Sequence, residues 1–203
     1  QSRANCVAWS PDQQHFAIGL VDGNALLFNA TKWDDPLPVF AGEAITAVQF
    51  SPDGRQLAIG GTGLHFWDVP AESFSSPRRE LIHHVTALTY SPSGSQLAVS
   101  LSSKKLRLFE LNQQAIVGPG QSIEHHSRVF FDYAPCLPAF TLQEDALVTA
   151  RPRSADIVNI QGLNNIHHFP TPSGISGIAA SADGKRVAVS GPKHLQVWNT
   201  DNG

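Results

Sequence analysis

Short apolar stretches bounded by turn-forming residues recur along the chain. Phe16-Ala17-Ile18-Gly19, Leu57-Ala58-Ile59-Gly60, Leu97-Ala98-Val99-Ser100 and Val187-Ala188-Val189-Ser190 have the length of strands and are too short for helices. Each is followed by a second apolar segment that ends in an aromatic residue. These are Leu26-Leu27-Phe28-Asn29, Leu64-His65-Phe66-Trp67-Asp68, Leu106-Arg107-Leu108-Phe109-Glu110 and Leu195-Gln196-Val197-Trp198-Asn199. Breakers such as Asp22-Gly23, Gly61-Thr62-Gly63 and Gly191-Pro192 join the two segments, which is hairpin chemistry. No window carries the period of an amphipathic helix, so the pattern predicts an all-β chain.

A small-residue turn precedes each pair of segments. It runs Trp9-Ser10-Pro11-Asp12, Phe50-Ser51-Pro52-Asp53-Gly54, Tyr90-Ser91-Pro92-Ser93-Gly94 and, weakened, Ala180-Ser181-Ala182-Asp183-Gly184. The serines stand 41, 40 and 90 residues apart, and the last interval is two periods of 45, so one degenerate unit is expected between Tyr90 and Ala180. Three antiparallel strands and a less regular fourth, repeated at this spacing, make the blade of a β-propeller. Five four-stranded blades are expected within residues 1–203, starting near Asn5, Ile45, Val85, Val129 and Ile175. The fourth admits two registers. The pairs His83-His84, His125-His126 and His167-His168, 42 residues apart, put its first strand at 129–133 with an insertion across 136–145. The other register puts that strand at 138–142, followed by strands at 146–150 and 156–160.

The Ser-Pro-Asp-Gly turns and the endings Phe66-Trp67-Asp68 and Val197-Trp198-Asn199 resemble the WD-repeat (beta-transducin-like) family from about Cys6 to Asn199. That resemblance implies a rigid, non-catalytic scaffold for protein–protein interaction in multiprotein complexes, commonly on seven blades, with an N-terminal strand completing the last blade. Neither end of this sequence supplies the outer strand of the fifth blade, and there is no Met in 203 residues. The expectation is therefore a fragment of a longer chain, five blades of a larger, seven-blade propeller. The alternative is self-association through the open blade edge, where unpaired backbone invites another strand.

Composition narrows the function. With 41% hydrophobic and 15% charged residues the chain is a folded protein and not a disordered one. A net charge of -3 gives no global reason to bind nucleic acid or an anionic membrane, and no apolar run has the length of a spanning helix. Two cysteines, Cys6 and Cys136, are too few for a disulfide framework or a zinc site, so an intracellular setting, cytoplasm or nucleus, is expected. No catalytic, cofactor or metal residue is predicted. The serines near aspartates lie in repeated turns. Gly60-Gly61-Thr62-Gly63 lacks the following helix and the Lys-Ser/Thr pair of a phosphate loop. The His pairs have no carboxylate or thiol at a fixed offset. The family resemblance implies a structural set for His84 with Ser100 and Phe109, although Lys104-Lys105 stand where its aspartate would be.

The remaining candidates are surface residues. On the strand order the resemblance implies, the loops of one face hold Lys104, Lys105, Arg128, Arg151, Arg153 and Lys193 against mainly Asp22, Glu43 and Asp156. Such a basic rim suits an acidic or phosphorylated peptide. On the opposite face, Trp33 and Phe74 are expected in polar loops as partner anchors or as covers over a blade edge. Two other classes compete with the scaffold. One is a sensor or regulatory domain of a larger ATPase or kinase. The other is a propeller enzyme, which would need polar groups where the inner strands carry small apolar residues.

Overall fold

Each Ser-Pro turn is held by its own side chains, and this fixes where the first and second strands of its sheet reverse. Ser51 Oγ accepts from the Gln56 amide at 2.9 Å and donates to Asp53 Oδ1 at 2.6 Å, while Asp53 Oδ1 accepts from the Arg55 amide. Ser10 and Asp12 repeat the pattern, and Ser91 and Ser181 accept from the Gln96 and Arg186 amides. The turns end in a left-handed residue, at φ +72° for Gly54 and +76° for Gly94, where glycine avoids the Cβ clash. In the first turn the same place is held by Gln13 at φ +62°.

These turns organise a computed structural model that describes residues 2–40, 42–74, 79–81, 83–103, 105–112, 115–123, 137–140, 146–151, 154–161, 165–170, 174–181 and 185–199. Among the described residues, strands form five antiparallel sheets. The first is β1 (Ala4–Trp9), β2 (His15–Leu20), β3 (Asn24–Asn29) and β4 (Lys32–Phe40), in that order. The second is β5 (Ala47–Phe50), β6 (Gln56–Gly60) and β7 (Gly63–Asp68), with the short β8 (Ser73–Phe74) and β9 (Arg79–Glu80) both pairing with β7. The third is β10 (Val85–Tyr90), β11 (Gln96–Leu101), β12 (Leu106–Asn112) and β13 (Ala115–Ile123). The fourth is β14 (Leu137–Phe140), β15 (Ala146–Arg151), β16 (Ser154–Asn159) and β17 (Asn165–Pro170). The fifth has β18 (Gly177–Ala180), β19 (Arg186–Gly191) and β20 (His194–Asn199). The fourth sheet thus follows the later of the two registers. Its first described strand begins at Leu137, and residues 129–133 lie outside the described residues.

The first strands contact one another in chain order, β1 with β5, β5 with β10, β10 with β14 and β14 with β18, as in the arc of a propeller. Alternate side chains on each sheet therefore face the sheet before and the sheet after. Ala17, Ala25 and Leu27 of the first sheet meet Val48, Phe50, Leu57 and Ile59 of the second in one buried cluster. Leu64 and Phe66 of the second meet Leu88, Tyr90, Leu97 and Phe109 of the third. Leu106 and Leu108 meet Phe140, Leu147 and Val158, and Ala155 and Ile157 meet Val187 and Val189.

A small residue near the end of the second strand is the closest point of this packing. A Cβ added at Gly19 would lie 2.5 Å from Ile45 Cγ2, and one added at Gly60 would lie 2.5 Å from Val85 Cγ1. Each β-branched residue opens the next sheet and fills the socket that glycine leaves. Gly60→Ala is expected to destabilise the protein by about 1–3 kcal/mol through overpacking. Adding Val85→Ala should return part of that loss, as read by denaturant unfolding of the double-mutant cycle. In the other direction, Gln13→Gly should stabilise by about 0.5–1 kcal/mol by relieving the left-handed side chain. An unchanged urea midpoint would show that the first turn carries no such strain.

Candidate functional site

The hairpins give every sheet two ends with different chemistry. At one end lie the Ser-Pro turns, whose serines are buried and hydrogen-bonded to their own turns, so they serve the backbone. Where the second and third sheets meet at this end there is a polar groove of about 270 Å³, lined by Ser51, Asp53, Tyr90, Ser93, Ser95 and Leu111 among others. At its floor the buried Tyr90 hydroxyl donates to Gln56 Oε1 at 2.9 Å. Burial, and then the Asp53 carboxylate, push the Tyr90 phenol far above its usual value, so it stays a neutral donor. The sequence reading missed this groove, because it needs two turns 40 residues apart to be placed side by side. Its visible trace is the change from Asp53 to Ser93 at equivalent turn positions.

At the other end lie the turns between second and third strands. Lys105 is exposed just before β12, its carbonyl accepting from the Leu101 amide, and Lys193 is exposed in the turn between β19 and β20. Arg151 ends β15, opposite Ser154. Lys104, Arg128 and Arg153 lie outside the described residues. Asp156, expected among the rim acids of this face, is instead fully buried within β16, directly opposite Thr149 and His168. His168 Nδ1 lies 2.6 Å from Asp156 Oδ1, so an imidazole from β17 compensates the buried carboxylate. Thr149 Oγ1, on the same row, is buried without a hydrogen-bond partner among the described residues.

Two further expectations change with the structure. Trp33 and Phe74 were expected in loops, and both lie in outer strands, β4 and β8. Trp33 is 71% exposed. Phe74 folds back, packing edge to face on Trp67 with ring centroids 5.0 Å apart, and near His65 at 5.6 Å. The set proposed around His84 does not form through side chains. His84 is exposed and its backbone carbonyl accepts from the Ser102 amide, whereas Ser100 Oγ is buried with no partner among the described residues. His125 and His126 lie outside the described residues, and His167 packs on Phe169 with centroids 5.9 Å apart. Among the described residues, no three His, Cys, Asp or Glu side chains converge as a metal site would require. None of their helices is long and apolar enough to cross a membrane.

Comparison with known proteins agrees with this architecture. The family described as WD domain, G-beta repeat matches residues 1–29, 35–68 and 75–110. WD repeat-containing protein 1 of Gallus gallus is 35% identical over 78 residues, covering 36% of this chain and 13% of that protein. Among solved structures, the Cps50 (Swd1) β-propeller domain of Myceliophteria thermophila superposes with a TM-score of 0.78 at 15% identity, over 98% of this chain and 65% of that one. A chain of Kuenenia stuttgartiensis hydrazine synthase superposes with a TM-score of 0.80 at 16% identity, over 97% of this chain and 63% of that one. The chain therefore spans less than two thirds of each of these relatives.

The turn geometry has a consequence for pH. The Ser10 hydroxyl, and then the Gln14 amide, hold the exposed Asp12 carboxyl below its usual value. A lowered carboxyl stabilises the fold above the unfolded value of about 4, and that contribution fades as pH falls through the folded-state value. Asp12→Ala should thus lower the urea midpoint at pH 7 and change it less in strong acid. Equal changes at both pH values would contradict the assignment.

Proposed function

Because the chain belongs to the WD-repeat β-propeller family, we propose that it acts as a non-catalytic scaffold holding acidic or phosphorylated protein segments on its loop surface within a multiprotein complex. WD-repeat proteins are usually non-catalytic and generally bind proteins. The observation that carries the finer reading is the division of labour among the polar side chains. Turn serines and aspartates bond their own backbone at one end, and Lys105 and Lys193 are exposed at the end formed by the second-to-third-strand turns. Arg151 ends β15 at that same end, and Lys104, Arg128 and Arg153 lie outside the described residues. Clustered Lys and Arg recognise phosphate and carboxylate groups through charge-assisted hydrogen bonds.

Trp33 supplies a second contact of a different kind, an exposed aromatic on the outer strand of the first sheet beside Asp34 and Asp35. Phe74 has a lesser part in this reading, because it is already packed edge to face with Trp67. The half-buried Cys6 thiol is pushed up to about 11 by desolvation, which keeps it protonated and unreactive at neutral pH.

The test is capture of a doubly phosphorylated peptide library by the intact protein. The paired reversals Lys105→Glu with Lys193→Glu, and Arg151→Glu with Arg153→Glu, are each expected to weaken capture by roughly tenfold, more steeply at low salt. Capture that survives both reversals would sink the basic-rim reading. Loss with Trp33→Ala alone would move the surface to the outer edge of the first sheet.

A further inference from the structure

The seam between the second and third sheets differs in charge from the seam before it, on the same backbone frame. In both, the glycine of the following turn seats on the proline of the preceding one. A Cβ added at Gly54 would lie 3.8 Å from Pro11 Cδ, and one added at Gly94 would lie 3.4 Å from Pro52 Cδ. The backbone bonds repeat as well, the Val69 amide donating to the Arg55 carbonyl and the Leu111 amide to the Ser95 carbonyl. The side chains on that frame do not repeat. At the first seam, Asp12 of the preceding turn meets a turn that carries Asp53 and Arg55. At the second seam, Asp53 meets a turn with Ser93 and Ser95 at those places.

That exchange gives the polar groove of about 270 Å³ a negative lining. Of the described residues that line it, Asp53 alone is ionised at neutral pH, because the Tyr90 phenol at its floor stays neutral. The carboxylate is held in place, since Asp53 Oδ1 accepts from the Ser51 hydroxyl and the Arg55 amide, and a carboxylate offers about four acceptor positions. Across the groove the two hydroxyls order one another. The Ser95 amide donates to Ser93 Oγ at 3.1 Å, and Ser93 Oγ donates to Ser95 Oγ at 2.9 Å. Pro52 and Leu111 add apolar wall, and the Tyr90 hydroxyl is tied to Gln56.

A fixed anion, ordered hydroxyls and an apolar wall match a cation on a hydrocarbon stem. The methylenes cover Pro52 and Leu111 while the charged head reaches Asp53 and the hydroxyls. The mouth is open, since Asp53, Ser93 and Ser95 are exposed. The volume lies below the roughly 300 Å³ at which sites begin to bury a whole small ligand. Whatever carries the cation therefore stays mostly outside the groove, as the backbone of an extended peptide does.

We propose that this groove binds one long cationic side chain, arginine or lysine, on an extended segment of a partner protein. The contact is separate from the basic rim: it lies at the Ser-Pro end, takes the opposite charge and uses none of the rim residues. Failure of one leaves the other standing.

Chemical-shift titration of the isotopically labelled protein tests it, using the pentapeptides Ala-Ala-Arg-Ala-Ala, Ala-Ala-Lys-Ala-Ala and Ala-Ala-Glu-Ala-Ala, capped at both ends. Saturable shifts of the Gly54 and Gly94 amides are expected with an arginine or lysine peptide and not with the glutamate peptide. Asp53→Asn keeps an oxygen for the turn and removes the charge, and should weaken binding by roughly fivefold or more. Ser95→Arg restores the residue of the first seam and is expected to abolish the shifts by filling the groove from within. Equal shifts with the glutamate peptide, or shifts that persist in both variants, would overturn the proposal, as would no saturable shift with any peptide. Binding of free N-acetyl-arginine amide without binding of either cationic peptide would also overturn it and would assign the groove to a small-molecule cation.

Discussion

Everything in this chain depends on the close approach of neighbouring sheets, which is limited by one small residue per repeat. Gly19 and Gly60 leave room for Ile45 and Val85, and a single added methyl would collide with a β-branched side chain that has little rotameric freedom. The socket sets the depth at which one sheet seats on the next, and that depth decides which alternate side chains become core. Leu57, Leu64 and Leu97 are wholly buried in the clusters that contain Ile45 and Val85. Stability here is a chain of nearest-neighbour interfaces, as in other repeat proteins, and each sheet is buried only because its neighbours are present.

That arrangement frees the loops from holding the fold and explains the distribution of polar chemistry. Hydroxyls and carboxylates at the Ser-Pro end satisfy turn amides. Where a carboxylate does enter the core, at Asp156, the structure answers it with His168 from the next strand. A rigid arc with dispensable turn tips suits recognition, since turn sequences can vary without altering the sheets that carry them.

The repeat, the turns and the strand ends were legible in the sequence because each depends on local chemistry. Ser51, Pro52, Asp53 and Gly54 specify a turn with no outside help. The fourth sheet was ambiguous because its hairpin lacks that turn, and two apolar stretches competed for the role of first strand. Trp33 was misplaced because Asp34-Asp35-Pro36 has the composition of a loop, although an outer strand tolerates proline where no ladder amide is needed. Asp156 was misplaced for the opposite reason. Its partner lies twelve residues away on another strand, and no local pattern announces a buried carboxylate. The groove by Tyr90 is a property of neighbouring sheets and is invisible until the sheets are placed.

The outermost strand of the first sheet has a further meaning. β4 carries Lys32, Asp34, Asp35, Pro36 and Pro38 along its length, and β13 is interrupted by Gly118, Pro119 and Gly120. A proline offers no amide, and charged neighbours resist dehydration, so such borders are poor templates for a foreign backbone. The borders of the first and third sheets are thereby poor sites for strand addition and for the fibrillar stacking that flat edges permit, and what docks on them must do so through side chains.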